Sequence, residues 1–126
     1  MKIMIVDDAA MMRTVLRRIF ENAGFNEIIE APDGLQAVRL YRHEMPDLVM
    51  MDLTMPEMGG LESIRQIMQI NSKAMIIVCT ALGQKEVVLD AIKNGAKHFL
   101  VKPFDPGTVL EKVKLVMNLS TSQSAQ

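Results

Sequence analysis

Residues Leu48–Gly60 read LVMMDLTMPEMGG. Four apolar residues, Leu48 to Met51, run into an acid, Asp52, and then Thr54, Met55-Pro56 and Gly59-Gly60 break the chain. A short apolar run bounded by turn residues reads as a strand buried on both faces. Asp52 therefore stands where a buried strand surfaces. An ionised acid is rarely buried without a partner. Either Asp52 caps a turn, or the sheet holds its carboxylate at the lip of a site.

The same pattern recurs on both sides. Ile3–Val6 ends in Asp7-Asp8, and Ile28–Ala31 is a brief second strand. Met75–Thr80 is apolar and β-branched, and His98–Val101 is broken by Lys102-Pro103-Phe104. The segments between have helical spacing. Ala10–Ala23 places Met11, Val15, Leu16, Ile19 and Phe20 on one face; Leu35–Tyr41 does so with Leu35, Val38 and Leu40. Gly60 opens a third helix with Leu61, Ile64, Ile67 and Met68. Gln84–Asn94 is closed by Asn94-Gly95, and Pro106 starts a last helix that runs to about Leu119. Residues 1–119 thus form one domain, and the polar Ser120–Gln126 is expected to be a frayed tail.

Five strands alternating with five helices imply an α/β fold with a parallel sheet covered on both faces. Five units are too few for a closed eight-stranded barrel, which leaves an open, doubly wound, flavodoxin-like sheet in strand order 2-1-3-4-5. At 126 residues the chain buries a core without disulfides or metal staples. Its 14 basic and 15 acidic residues give a net charge of −1, which argues against direct nucleic-acid binding. The single cysteine, Cys79, lies in an apolar run and reads as a buried inert thiol in a reducing compartment. No signal peptide or membrane-length apolar run is visible, so a cytoplasmic location and no membrane insertion are expected. His43 and His98 are far apart and lack acidic neighbours, and the 12 methionines, such as Met4, Met50 and Met75, read mostly as core filler.

In open α/β sheets ligands bind beyond the strand carboxyl ends where strand order reverses, here between strands one and three. Asp7, Asp8 and Asp52 converge there, while strand four ends in Thr80-Ala81 and strand five in Lys102. Each piece alone has a plain reading: a cap, an ordinary threonine, a lysine reaching solvent. Together, three carboxylates need a cation or a proton. An all-oxygen set with room for water suits Mg²⁺, whereas calcium wants a continuous loop and zinc wants Cys or His. Mg²⁺, a carboxylate, a lysine and a hydroxyl suit phosphoryl transfer. Asp52 is then the nucleophile, Asp7 and Asp8 hold the metal, Lys102 neutralises a phosphoryl oxygen, and Thr80 donates a hydrogen bond to another.

These residues resemble the receiver domain of bacterial two-component response regulators, closest to its single-domain chemotaxis members. The likeness rests on VDDAAMMR (Val6–Arg13), MMDLTMPEM (Met50–Met58), CTALGQ (Cys79–Gln84), DAIKNGAK (Asp90–Lys97) and VKPF (Val101–Phe104), and runs from Lys2 to about Met117. The resemblance implies a sensor histidine kinase of the chemotaxis type as phosphodonor to Asp52. It implies Mg²⁺ on Asp8, Asp52 and the backbone carbonyl of Thr54, with Asp7 helping through water, and a cis Lys102-Pro103 peptide. It further implies a switch in which Thr80 moves toward the phosphoryl group and Phe99 rotates inward, against the plain reading of Phe99 as a static core aromatic. Lys85, Val88, Phe99 and Lys112 fall on the face that relatives offer to partners, with a solvated surface as the competing reading. The expected function is a monomeric phospho-acceptor switch, not an enzyme beyond its own phosphorylation and dephosphorylation. Its expected partners are the flagellar motor switch and a phosphatase. Gly59 departs from the Asp found there in many relatives, which removes a capping carboxylate. Leu82 flanks the phosphoryl position, and Met12 and Met58 lie beside it.

Four readings compete. An aspartyl-phosphate phosphatase would want Asp-x-Asp and a cap domain. A flavodoxin-like cofactor carrier would want a Ser/Thr/Gly-rich loop where Asp7-Asp8 stand. A receiver of a phosphorelay, or one from a truncated DNA-binding regulator, is the main rival to the chemotaxis switch.

Overall fold

The computed structural model describes residues 1–55 and 58–125, except for the side chains of 119–125. Pro56 and Glu57, part of the likeness above, lie outside the described residues, as does Gln126. The order is β1 (Lys2–Val6), α1 (Ala10–Asn22), β2 (Glu27–Ala31), α2 (Gly34–Glu44), β3 (Leu48–Asp52), α3 (Gly60–Ile70), β4 (Ile76–Thr80), α4 (Lys85–Lys93), β5 (His98–Val101) and α5 (Pro106–Ala125). The strands form one parallel sheet in the order β2-β1-β3-β4-β5. The alternation of apolar runs implied a parallel sheet, and the flavodoxin-like order expected for it is the one observed.

Successive residues of each central strand face opposite sides, so one strand feeds two cores. Met4, Val49, Met51, Ile76 and Val78 pack with Val38, Tyr41, Ile64, Ile67 and Val88 from α2, α3 and α4. Ile3, Ile5, Met50, Ile77 and Leu100 pack with Leu16, Phe20, Val109 and Val113 from α1 and α5. Met4, Met50 and Met75 are core residues, and Cys79 is buried, which pushes its thiol pKa well up. Cys79 is therefore an unreactive protonated thiol.

Some expected faces differ. On α1, Leu16, Ile19 and Phe20 are buried, but Met11 is 77% and Val15 37% exposed. The helix meets the sheet along a narrower stripe than the apolar spacing suggested. On α2, Leu35 is exposed, while Ala37 and Tyr41 take the buried positions beside Val38. α5 continues through residues 120–125 to Ala125, past the end expected near Leu119. Their Ser, Thr, Gln and Ala carry no Gly or Pro to stop the helix.

The ends follow local chemistry. Asp33 caps α2 by accepting from the Gln36 N–H at 2.8 Å, and Asp105 caps α5 by accepting from the Thr108 N–H at 2.9 Å. Gly59 precedes α3 with no side-chain cap, as its lost carboxylate implied.

Candidate functional site

The strand ends are laced together before any side chain acts. The Asp7 N–H donates to the Ala31 carbonyl at 3.2 Å, that of Leu53 to Cys79 at 3.2 Å, and that of Lys102 to Thr80 at 2.8 Å. These bonds fix where the side chains of Asp7, Asp52, Thr80 and Lys102 emerge. The Gly60 N–H donates to the Leu53 carbonyl at 3.3 Å, bringing α3 against the end of β3. A Cβ on Gly60 would stand 2.3 Å from the Asp52 carbonyl oxygen, so only glycine allows this approach.

Oxygens of Asp7, Asp8 and Asp52 lie within 4.8 Å of one another. Asp7 and Asp52 are buried, and Asp8 is exposed. The Asp7 carboxylate accepts from the Ala9 N–H at 2.9 Å, and that of Asp52 from the Thr54 N–H at 3.4 Å. The Thr54 backbone thus lies at the Asp52 carboxylate, while its side chain is exposed. Lys102 Nζ stands 3.0 Å from Asp7 Oδ2 and 3.4 Å from Asp52 Oδ1. The Lys102-Pro103 peptide is cis.

The charges do not balance within this cluster. Burial and the neighbouring Asp7 charge raise the Asp52 pKa above its ordinary value, despite Lys102 and the Thr54 N–H acting against them. Burial alone would lower the Lys102 pKa, but its bond to Asp7 and the Asp52 charge outweigh burial and raise it. One ammonium faces three carboxylates. The donor set is all oxygen and opens to solvent at Asp8, which fits a hard cation such as Mg²⁺ that keeps several waters.

Thr80 is buried at the end of β4, and its hydroxyl meets the Gln84 side-chain oxygen, with the Ala81 carbonyl at 3.3 Å. Phe99 lies on β5 and is 36% exposed, at the surface rather than in the core. Lys112 Nζ donates to the Phe99 carbonyl at 2.6 Å and lies 4.5 Å from the ring centroid, a cation–π contact. A groove of about 310 Å³ runs beside Thr80, lined by Gln84, Lys85, Val88, Leu89, Phe99 and Val101 among others. Val88 is buried and forms part of this lining, whereas Lys85 and Leu82 are exposed. Met12 and Met58 are half-buried, and Met58 has a left-handed backbone with φ of 67°.

The sequence reading missed one network. Arg13 Nη1 donates to the Asp7 carbonyl at 2.7 Å and Arg13 Nε to Glu30 at 3.0 Å; Arg17 Nε donates to Glu30 at 2.6 Å. Burial would raise the Glu30 pKa, but the two guanidinium groups outweigh it and hold it below its ordinary value. The spacing of Arg13 and Arg17 on one helix face was visible; their partner on β2 was not.

A family model for the response regulator receiver domain matches residues 3–114. The chain belongs to the response regulator receiver family. The receiver is 49% identical over 117 residues to the chemotaxis protein CheY of Bacillus subtilis, spanning 93% of this chain and 98% of that one. It is 50% identical over 115 residues to CheY of Thermotoga maritima, spanning 91% and 96%. Among solved structures it is similar to the CheX–CheY–BeF3–Mg²⁺ complex from Borrelia burgdorferi, with a TM-score of 0.88 and 39% identity, over 92% of this chain and 88% of that chain. This receiver is CheY-like and part of a two-component system. Receiver domains bind Mg²⁺ at an acidic cluster, and Asp7, Asp8 and Asp52 form one here.

Proposed function

We propose that this receiver is a phospho-acceptor switch in which Asp52 takes a phosphoryl group from a histidine kinase. The supporting observation is the Asp52 carboxylate, buried at the end of β3 among Asp7, Asp8 and Lys102. An Asp52 oxygen attacks phosphorus; the O–P bond forms as the N–P bond of the kinase's phosphohistidine breaks, and the electron pair leaves with the ring nitrogen. Asp8, Asp52 and the Thr54 carbonyl would hold Mg²⁺, with Asp7 helping through water, and the ion would supply neutralising charge for the transferring group. Lys102, already paired with Asp7 and Asp52, turns its ammonium to a phosphoryl oxygen. Thr80 donates its hydroxyl to another. The protein is read as a signalling switch that promotes only its own phosphorylation and dephosphorylation.

Output uses the face formed by α4, β5 and α5. Thr80 lines the same groove as Phe99, so a shift of Thr80 toward the phosphoryl group opens room for the ring to turn inward. The two orientations expose different surfaces, which a partner distinguishes. Identity with CheY of B. subtilis favours the flagellar motor switch as that partner. The CheX named in the Borrelia complex favours a CheX-like phosphatase for removing the phosphoryl group. The switch is read as a cytoplasmic monomer.

The test is binding of a motor-switch segment to the receiver treated with a small phosphodonor. Binding that rises at least tenfold with Mg²⁺ and donor, and falls back with EDTA, supports this reading. Binding indifferent to donor contradicts the chemotaxis assignment.

A further inference from the structure

The Thr80 hydroxyl has one proton to donate. Two acceptors face it: the Gln84 side-chain oxygen, and the Ala81 carbonyl at 3.3 Å, beyond the usual O–H···O range of about 2.5–3.0 Å. The proton therefore goes to Gln84. Thr80 is almost wholly buried. Gln84 is also the residue on which α4 starts: its carbonyl accepts from the Val88 N–H at 3.1 Å, and its side chain caps no helical N–H. Both residues line the groove that also holds Phe99 and Val88. One side chain thus joins the group placed to meet a phosphoryl oxygen to the first turn of the helix on the output face.

We propose that Gln84 is the positioning residue for Thr80: it occupies the threonine hydroxyl in the resting receiver, and its release on phosphorylation loosens the first turn of α4. The inference rests on the phospho-acceptor reading for its second half alone; the resting contact stands without it. Thr80 cannot serve both acceptors, so each phosphorylation event must break the Gln84 bond.

Gln84→Met keeps length and helix propensity but offers no oxygen; Gln84→Glu keeps the acceptor. Hydrogen exchange at the Val88 and Leu89 amides is measured first without phosphodonor. Gln84→Met and Thr80→Val each speed exchange about fivefold, the value of one typical hydrogen bond, and the double variant no further. Gln84→Glu stays near the parent rate. Phosphate uptake from a small donor then rises about fivefold in Gln84→Met, because Thr80 is already free. That rise is absent in the Thr80→Val background. Additive exchange effects, or parent-like exchange in Gln84→Met, overturn the resting contact. Normal exchange effects with equal uptake in parent and Gln84→Met overturn the positioning role. A parent protein that takes no phosphate at all instead overturns the phospho-acceptor reading, and the exchange data still decide the contact.

Discussion

The two ends of the switch crevice are built on opposite terms. At the β1–β3 end, Asp7 and Asp52 are buried, their backbones are bonded to neighbouring strands, and Gly60 presses against the Asp52 carbonyl. At the β4–β5 end, Thr80 shares an open groove with Phe99, Leu89 and Val101, and the last three are each more than a third exposed. The first end holds charges that repel one another and must not move; the second holds apolar groups with space to rearrange. A fixed chemical end and a loose responding end are what a switch needs. On the proposed switch reading the first end stays fixed, and the second has room to adopt another arrangement.

Glycine substitutions sharpen the comparison most. Gly60→Ala drives a Cβ into backbone 2.3 Å away and is expected to cost about 3 kcal/mol. Gly83→Ala, in the loop before α4, meets nothing within 4 Å and is strained only by its φ of +90°, so it is expected to cost about 1 kcal/mol. Urea midpoints of the two variants measure the gap. Equal losses would mean that the two ends are equally crowded.

A smaller effect tests what braces the acidic end from behind. Glu30 joins Arg13, which holds the Asp7 carbonyl, to Arg17. Its pKa is depressed below 4.5 in the folded protein, so its contribution is complete above that value and lost as pH falls through the lower, folded value. Glu30→Gln is expected to cost about 1 kcal/mol at pH 7, since the pair is partly exposed, and to flatten the fall in stability below about pH 4.5. Parallel acid limbs for the two proteins would remove Glu30 from that role.

Much of this was legible because it follows from single strands. Apolar runs ending in Asp7, Asp52, Thr80 and Lys102 marked the strands and the groups at their ends, while the strand order came from the fold class and the family resemblance. The Asn94-Gly95 and Pro106 signals marked helix ends near where they lie. What failed to show depends on partners distant in sequence or on angles around an element. Met11 and Val15 are apolar yet turned outward, because packing against the sheet sets the buried stripe of α1. For Phe99 the sequence left core and surface both open, and its place on the edge strand β5 puts it at the surface. The Arg13–Glu30–Arg17 network pairs a helix with a strand through no fixed spacing. The Thr80–Gln84 contact spans four residues, but a loop without periodicity does not announce which side chains meet.

The central claim is that Asp52 alone accepts the phosphoryl group. Intact mass of the protein after incubation with a small phosphodonor and Mg²⁺ tests it most directly, with Asp52→Ala measured alongside. The account predicts one phosphoryl adduct on the parent protein and none on Asp52→Ala. An unmodified parent, or an equal adduct on both, would contradict it.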